Sequence, residues 1–489
     1  MKLVDLIKDI EVVEKCNFKD DIEIKGINYN SKTTSSNDIF VCLRGEHVDG
    51  HNFAVDAISR GAVAIMCETK LDINVPQIIV NSAEQSLAGI AHVFFESPSK
   101  NLNMIGVTGT NGKTTVTHLV QKIMESSGDK CALIGTLGYK LASDSEYKEA
   151  KHTTPQAPEL QQTLKMIKDV AKINNVAMEV SSHSLVQNRV GFCEFNCAVM
   201  TNLTQDHLDY HVTMERYFKA KALLFERLNI NDIAIINVDD SYADKFKSVV
   251  KEGVKTYTYG INNSATLTAK NIKFTSSGVS FECVTPDSSY DVNLSMNGMF
   301  SVYNVLAALT VAYAMGLDLN NAIKILEPVS GVAGRFEVVV THPLVIVDYA
   351  HTPDGLDNVL KAAKEITPKG NELICLFGCG GDRDATKRPK MGAIAERIAD
   401  KVIVTSDNPR SEDPQQIITD ILAGFKSTND IIVEADRGKA ISLIREIAKD
   451  NDVVVIAGKG HEDYQILADR TIHFDDREEV RKVFNTVGV

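Results

Sequence analysis

The segment GVTGTNGKTT at 106–115 has the residue types of a loop that binds the phosphates of a nucleotide. Glycines allow a backbone to wrap around phosphate oxygens, Lys113 can reach the β- and γ-phosphates, and the hydroxyl of Thr114 can bind Mg²⁺. The spacing differs from the common GxxxxGK[ST] pattern because residue 107 is valine, so we expect Gly109 to take the wrapping role. A glycine-rich turn without a ligand is the alternative, and this combination of residues disfavours it.

Further along the chain, three more residues could contribute to the same nucleotide site. Glu179 closes the apolar run NVAMEVS at 175–181, which would put its carboxylate beside the loop as a Mg²⁺ ligand. His207, in NLTQDHLDYH, follows the next apolar run and could hold a second metal ion. Lys221 lies in the helical stretch YFKAKALLF, but an ammonium group repels Mg²⁺. Residue chemistry alone therefore favours a solvated helix lysine at this position.

The elements that must position these residues belong to an α/β fold. From residue 104 onward, short apolar runs alternate with helical stretches, which predicts largely parallel sheets covered by helices. Residues 254–296 look more antiparallel. We divide the chain into domains at 1–100, 101–330 and 331–489, because 489 residues are too many for one hydrophobic core.

Four polar loops follow apolar runs in the third of these blocks. They are DYAHTP (348–353), GCGGDRD (378–384), SDNPRSEDP (406–414) and AGKGHEDYQ (457–465). Ligands in open α/β sheets bind outside the carboxyl ends of the strands, so we expect a ligand site here. A turn at DNP does not require an arginine after it. Taken alone, Arg410 is most simply interpreted as a side chain exposed to solvent. The GKGHE segment resembles a second phosphate loop but has no Ser or Thr after its lysine, so we assign it to the same ligand.

Composition and charge exclude several classes of protein. The formal net charge of −13 argues against non-specific binding to nucleic acid or to an anionic membrane. No apolar stretch approaches the roughly 20 residues that span a bilayer. The nine cysteines are scattered without a CxxC pair, and we interpret them as reduced core thiols. The N terminus begins as a charged amphipathic helix without the apolar core of a signal peptide, so we expect a soluble, cytoplasmic protein.

Together these motifs resemble those of the Mur ligases, the ATP-dependent amide-forming enzymes of peptidoglycan synthesis. The resemblance covers essentially the whole chain and includes GTNGKTT, EVSSH, NLTQDHLDYH, GMFSVYN, GRFE and DYAHTP. It implies a small mixed α/β N-terminal domain for a UDP-linked substrate, a central P-loop ATPase-like domain with a mostly parallel sheet, and a C-terminal Rossmann-like α/β domain for an amino acid. It also implies that ATP phosphorylates the D-glutamate carboxylate of UDP-N-acetylmuramoyl-L-alanyl-D-glutamate, and that an amine then displaces phosphate.

The resemblance also implies roles for particular residues. The catalytic set comprises Lys113, Glu179, His207 and Lys221, the last as N6-carboxylysine, a carbamate that would bind a second Mg²⁺ beside His207. The implied metal ligands are thus Thr114 and Glu179 for the first ion, and His207 and Lys221 for the second. The ATP-binding set comprises Thr108, Gly109, Thr110, Asn111, Gly112, Lys113, Thr114, Asn304, Arg335 and Asp348. The set for the UDP-linked dipeptide comprises Ser31, Thr153, Thr154, Ser181, Gln187 and Arg189, with weaker indications for Glu46, His47 and Val48.

In the branch of the family that this sequence resembles, DNPR looks like the recognition motif for meso-diaminopimelate. This amino acid carries an amino-acid head at each end, and a planar guanidinium can bind the distal carboxylate through two hydrogen bonds. The implied set comprises Arg383, Asp407, Asn408, Pro409, Arg410, Gly458 and Glu462. The partners implied are small molecules, with no nucleic acid and no membrane, and we expect a monomer.

Four other functions stay open at this point. Mur ligases that add lysine lack the DNPR arginine, so Arg410 argues against that substrate. Folylpolyglutamate synthetase shares the GTNGK loop, but its loop continues with Gly-Ser and it lacks a separate N-terminal domain. A phosphotransferase acting on a small alcohol would not need the third block. A non-catalytic nucleotide-gated protein should have a damaged site, whereas the reactive residues are all present.

Overall fold

Three sheets follow one another along the chain in the computed structural model, which describes residues 1–45, 48–126, 128–150, 152–275 and 278–484. The α/β class predicted from the alternation of apolar and helical stretches is confirmed. Four short 3₁₀ helices and one π-helical turn complete the described secondary structure, at Ser31–Thr33, Gly50–Phe53, Pro98–Asn101, Ala385–Lys387 and Met166–Val170.

The first sheet is small and mixed. Its strands are β1 (Val12–Cys16), β2 (Gly26–Asn28), β3 (Asp38–Val41), β4 (Ala62–Cys67) and β5 (Gln77–Val80), and its helices are α1 (Leu3–Leu6), α2 (Ala54–Ser59) and α3 (Ala83–Phe94). The order is β1-β5-β4-β3-β2, and only β1 is antiparallel to its neighbour within this sheet. The predicted N-terminal helix is largely wrong, because α1 spans four residues and the following segment VVEKC pairs with β5 instead.

The central sheet has ten strands. They are β6 (Asn103–Thr108), β7 (Cys131–Gly135), β8 (Gly138–Lys140), β9 (Asn175–Glu179), β10 (Cys197–Met200), β11 (Ile233–Asn237), β12 (Lys255–Gly260), β13 (Leu267–Thr275), β14 (Gly278–Val284) and β15 (Ser289–Leu294). The helices are α4 (Lys113–Glu125), α5 (Ala157–Lys165), α6 (Ser182–Val186), α7 (Leu208–His211), α8 (Met214–Glu226), α9 (Ala243–Val249), α10 (Met299–Ala314) and α11 (Leu319–Leu326). The order is β15-β14-β13-β12-β11-β10-β6-β9-β7-β8, parallel from β13 to β7 and antiparallel at both edges.

The third sheet has six strands. They are β16 (Glu337–Thr341), β17 (Leu344–Asp348), β18 (Leu373–Phe377), β19 (Lys401–Val404), β20 (Ile431–Val433) and β21 (Val453–Ala457), and β22 (Tyr464–Ile466) with β23 (Thr471–His473) form a separate hairpin. The helices are α12 (Pro353–Ile366), α13 (Arg388–Ile398), α14 (Pro414–Leu422), α15 (Arg437–Ile447) and α16 (Asp476–Phe484). The order is β16-β17-β21-β18-β19-β20, with only β16 antiparallel in this sheet. Within the described residues, no helix is long and apolar enough to cross a membrane.

Parallel pairing puts the polar residues of the motifs at common sheet edges. In the central sheet β10, β6 and β9 are adjacent, so the loops that follow Thr108 and Glu179 leave the same edge. In the third sheet β17, β21, β18 and β19 are adjacent, so the four motif loops leave one edge there as well. The strands themselves are buried and apolar, which fixes where these loops begin.

Candidate active site

The predicted phosphate loop connects β6 to the first residue of α4. Lys113 Nζ donates hydrogen bonds to Gly109 O and Thr110 O, each at 2.8 Å, and so lies across the loop. Gly109 has a φ of +149°, and a Cβ built there would be 1.8 Å from Thr201 Oγ1. Only glycine fits this position, as expected for a loop whose backbone must approach phosphate oxygens closely.

A buried carboxylate faces the start of α4. Glu179 is fully buried, and Thr114 Oγ1 donates to its Oε2 at 3.1 Å. Thr136 also holds it, through its backbone N–H to Oε1 at 2.8 Å and through its hydroxyl to Oε2 at 3.0 Å. Thr136 was not predicted from the sequence. It directly follows the apolar strand β7, and a polar residue at the end of an apolar strand is the same signal that indicated Glu179.

The oxygen atoms of Thr114 and Glu179 fit a Mg²⁺ site that ATP phosphates would complete. Mg²⁺ is usually bound by one or two carboxylates together with substrate phosphates rather than by a cage of protein ligands. In the described part of the chain, no group of three or more His, Cys, Asp or Glu side chains could hold a metal ion.

Lys221 is buried, so the solvated interpretation of this helix residue is wrong. Its side chain is 1% exposed, its Nζ donates to Gly109 O at 2.8 Å, and it lies 4.7 Å from the ring centre of Tyr217. Burial and the nearby charge of Lys113 hold the pKa of the Lys221 amine well below its ordinary value. The phosphate loop therefore has two lysines in contact with Gly109, and burial lowers the pKa of both amines, that of Lys221 the more strongly.

His207 lies beside a buried aspartate and a second histidine. Asp206 Oδ2 is 3.2 Å from His207 Nε2 and 3.7 Å from Nε2 of His351, which belongs to the third block. Partial burial lowers the pKa of His207, which leaves the ring neutral and able to act as a metal ligand. Sequence reasoning missed Asp206 and His351, although both belong to motifs already recognised.

Hydrogen bonds join the central sheet's loops to the third block. Arg335 Nη2 donates to Thr114 Oγ1 at 3.2 Å, and Asn111 Nδ2 donates to Asp354 Oδ2 at 2.7 Å. The guanidinium of Arg335 also lies 4.3 Å from the ring centre of Tyr349. The phosphate loop thus touches residues that lie more than 200 positions away in the sequence.

A cavity of about 290 Å³ at this junction brings together predicted nucleotide residues from three elements. Its wall includes Asn111 and Gly112 from the loop, Asn304 from α10, and Arg335 and Asp348 from the third block. Backbone N–H groups of residues 336 and 350 donate to the Asp348 carboxylate at 2.7 Å each, which fixes its orientation. Arg335 Nε is buried without a protein partner among the described residues, as expected if an anion completes the site.

A second cavity of about 920 Å³ lies between the central and third sheets. Thr136, Thr153, Asp206 and His207 line its central side. Six of the seven residues predicted for the amino acid line the opposite side, namely Arg383, Asp407, Asn408, Arg410, Gly458 and Glu462. His207, from the predicted catalytic set, and most of the residues predicted for the amino acid therefore face one space.

The DNPR turn packs against the glycine-rich loop that follows β18. Arg410 adopts a positive φ of 54°, and its Nη1 donates to Gly381 O at 2.7 Å. A Cβ at Gly381 would lie 1.9 Å from Pro409 O, so the two loops can approach this closely only because residue 381 is glycine. Pro409 is buried in this contact and does not line the cavity, whereas Arg410 does.

Five of the six residues predicted for the UDP-linked dipeptide make hydrogen bonds on the central side, and one of them, Thr153, lines the large cavity. Thr153 Oγ1 is 3.3 Å from Thr136 Oγ1, and Thr154 Oγ1 donates to the backbone carbonyl of residue 179 at 2.8 Å. Ser181 N donates to Thr154 Oγ1 at 3.2 Å. Arg189 donates to Thr154 O at 2.9 Å and to Gln187 Oε1 at 2.6 Å.

Ser31 is apart from these residues. It begins a 3₁₀ helix beside the first sheet and is buried, and its hydrogen bond lowers the pKa of the Asp56 carboxyl. The first sheet's domain nevertheless contacts the central one, where Tyr29 OH donates to Glu159 Oε1 at 2.6 Å. Glu46 and His47 lie outside the described residues, and Val48 is exposed.

Comparison with known proteins covers all three blocks. Family models described as Mur ligase family, catalytic domain, as Mur ligase middle domain, and as Mur ligase, glutamate ligase domain match residues 23–100, 107–312 and 334–460. The chain is 46% identical over 460 residues to the UDP-N-acetylmuramoyl-L-alanyl-D-glutamate–2,6-diaminopimelate ligase of Halalkalibacterium halodurans, with 93% of each chain covered. It is 45% identical over 486 residues to the ligase of the same name from Bacillus cereus, with 97% and 96% covered.

Solved structures show the same architecture. A diaminopimelate ligase of that name superposes with a TM-score of 0.67 at 34% identity and covers 99% of both chains. A folylpolyglutamate synthase of Mycobacterium tuberculosis complexed with ADP and AMPPCP has a TM-score of 0.65 at 17% identity, with 82% and 95% covered, which shows a shared fold alone. The domain matches and the full-length relatives agree with the arrangement of the site, and the chain belongs to the Mur ligase family.

Proposed function

We propose that this protein is an ATP-dependent, ADP-forming ligase that joins meso-diaminopimelate to the D-glutamate of UDP-N-acetylmuramoyl-L-alanyl-D-glutamate in peptidoglycan synthesis. The observation that carries the proposal is the shared cavity, which has His207 and Thr136 on one wall and Arg383, Arg410 and Glu462 on the other. Relatives at about 45% identity that bear the name of this activity support it.

The loop at Thr108–Thr114 would hold the triphosphate of ATP, with the base and ribose in the smaller cavity near Asn304 and Asp348. Lys113 would exchange its carbonyl partners for phosphate oxygens, and Arg335 would approach the same charge from the third block. Positioning and charge stabilisation of this kind account for most of the catalysis of phosphoryl transfer. The D-glutamate carboxylate attacks the γ-phosphorus, ADP leaves, and an acyl phosphate forms.

Thr114 and Glu179 would hold one Mg²⁺, and His207 with Lys221 would hold a second. The bound ions would screen the negative charge of the phosphates and of the reacting carboxylate. We propose that Lys221 acts as a carbamate, since its amine is buried on the same carbonyl, Gly109 O, that the Lys113 ammonium contacts, and two adjacent buried cations disfavour each other. The modification replaces a cation beside the metal site with an anion.

On the other side of the cavity, the residues of the DNPR turn would bind meso-diaminopimelate. Arg383 would take the carboxylate near the reacting amine, and Arg410 the distal carboxylate, with Asn408, Gly458 and Glu462 around the distal ammonium group. The amine then attacks the acyl carbon and inorganic phosphate leaves. An acyl phosphate hydrolyses in water, so a cavity between two domains, which can be shielded when they close, suits this reaction.

Replacement of Arg410 by alanine tests the amine assignment. With wild-type protein we expect phosphate release with meso-diaminopimelate to exceed that with L-lysine by about 10²-fold or more, because a hydrogen bond to a charged group contributes about 1.5–3 kcal/mol and lysine leaves the guanidinium unpaired. Arg410→Ala should lose most of this preference. The control is Arg470→Ala, on the exposed hairpin, which should keep it. Equal use of lysine by the wild type would reject the recognition role of Arg410.

The other functions considered have less support. The folylpolyglutamate synthase likeness rests on fold alone at 17% identity. A phosphotransferase or a nucleotide-gated binding protein does not account for Arg383 and Arg410 in the cavity wall opposite His207. We further propose a cytoplasmic monomer with domains at 1–100, 101–330 and 331–489, a division that the three separate sheets support.

A further inference from the structure

A buried lysine lies directly behind the amino-acid side of the large cavity. Lys459 follows β21 and is 0% exposed. Its Nζ is 3.3 Å from Glu462 Oε2, 3.3 Å from Asn408 Oδ1 and 4.0 Å from Asp407 Oδ1, and it donates to Tyr464 O at 2.5 Å. Lysine is almost never fully buried unless it is paired, because removing an ammonium group from water is costly. All of these partners line the cavity.

The lysine fixes the orientation of the Asn408 amide. Asn408 Oδ1 accepts from Lys459 Nζ and from Ile466 N, the latter at 2.9 Å. Because two donors face this atom, it must be the amide oxygen, and the other end of the amide must be the nitrogen. That nitrogen, Nδ2, points to Glu462 and donates to its Oε2 at 2.8 Å. The same carboxylate oxygen therefore receives hydrogen bonds from Asn408 and from Lys459.

Lys459 also sets the charge of this wall. Burial and the neighbouring Asp407 raise the pKa of Glu462, whereas the Lys459 charge and hydrogen bond oppose this rise. Two acidic side chains, Asp407 and Glu462, face one buried lysine near Asn408, and Arg410 presents a guanidinium on the same loop as Asn408. A negative site next to a positive one matches an amino-acid head, which carries an ammonium group next to a carboxylate.

We propose that Lys459 is a positioning residue for substrate selection: it orients Asn408 and Glu462 so that the pocket accepts the distal ammonium group of the incoming amino acid beside the carboxylate bound by Arg410. The inference rests on the proposed function, because it concerns the amine that the same cavity would bind. Lys459 does not touch the substrate and acts through its two neighbours.

The test compares meso-diaminopimelate with L-2-aminopimelate, which has the same carbon chain and distal carboxylate but no distal ammonium group. We expect Lys459→Met to lower the preference for meso-diaminopimelate, as the ratio of kcat/KM values, by about tenfold or more, mainly through KM for the amine. KM for ATP should stay unchanged. The control is Arg477→Met, which removes another cation from the cavity wall and should keep the preference. An unchanged preference in Lys459→Met overturns the inference.

A double-mutant cycle with Glu462→Gln separates positioning from general damage. If Lys459 acts through Glu462, Lys459→Met should lower the preference for meso-diaminopimelate less in the Glu462→Gln background than in the wild-type background. Equal losses overturn the inference.

If Lys459→Met does not fold, the double variant is compared with Glu462→Gln, since loss of both partners of a buried pair is better tolerated. Equal preferences within about twofold then support the inference, and a further tenfold loss overturns it. A wild-type protein that uses neither amine overturns the proposed function itself.

Discussion

Lys113→Ala should abolish turnover while the protein stays folded. Among the described residues the Lys113 ammonium donates only to the carbonyls of Gly109 and Thr110 and forms no ion pair, so its loss leaves no buried charge without a partner. In the ATP complex the same charge would meet the transferred phosphoryl group, where a preorganised cation contributes several kcal/mol to transition-state stabilisation. We expect kcat to fall by about 10³-fold or more, measured as substrate-dependent ADP release.

The matched control is Lys122→Ala, on the same helix and outside both cavities. This variant should keep its activity within about twofold, and the thermal unfolding midpoints of both variants should stay near that of the wild type. Full activity in Lys113→Ala would reject the phosphate-loop assignment.

Lys221→Arg should also be inactive, even though it keeps the positive charge. Arginine stays protonated in proteins and cannot become a carbamate, so this variant cannot supply an anion to the metal site. We expect a loss of about 10³-fold or more in kcat, because an uncompensated buried cation would lie where Mg²⁺ must bind. The intact wild-type protein should also carry the mass of one bound CO₂, and the variant should not.

Lys219→Ala serves as the control on the same helix, because residue 219 is exposed. It should retain both the added mass and the activity. If Lys221→Arg is as active as the wild type, the carbamate hypothesis is wrong, whereas the phosphate-loop assignment is unaffected.

Local patterns were enough to predict the fold class and the main motifs. The loop at 106–115 and the strand ends at Glu179 and Asp348 depend on neighbours in sequence, and a parallel sheet then brings such ends to one edge. The short α1 shows the limit of this reasoning, because pairing of VVEKC with β5 overrides a helical pattern.

The parts of the site that sequence did not predict depend on tertiary packing. Residue chemistry alone favours a solvated Lys221, and only the family resemblance puts it in the catalytic set. Its burial against Gly109 follows from how α8 packs on the phosphate loop. The contact of Asp206 with His351 joins two blocks about 145 residues apart in the chain. Lys459 was seen as part of a loop, but its contacts with Asn408 require β21 and β19 to lie in one sheet.

The most direct test of the ligase assignment measures ADP release and product mass together. Purified protein receives ATP and Mg²⁺ with UDP-N-acetylmuramoyl-L-alanyl-D-glutamate alone, with meso-diaminopimelate alone, or with both. The proposed reaction predicts sustained ADP release only with both, in equal amount to a product whose mass is that of the two substrates joined with loss of water. Sustained ADP release without the amine, or ADP release with both but without the joined product, would contradict it.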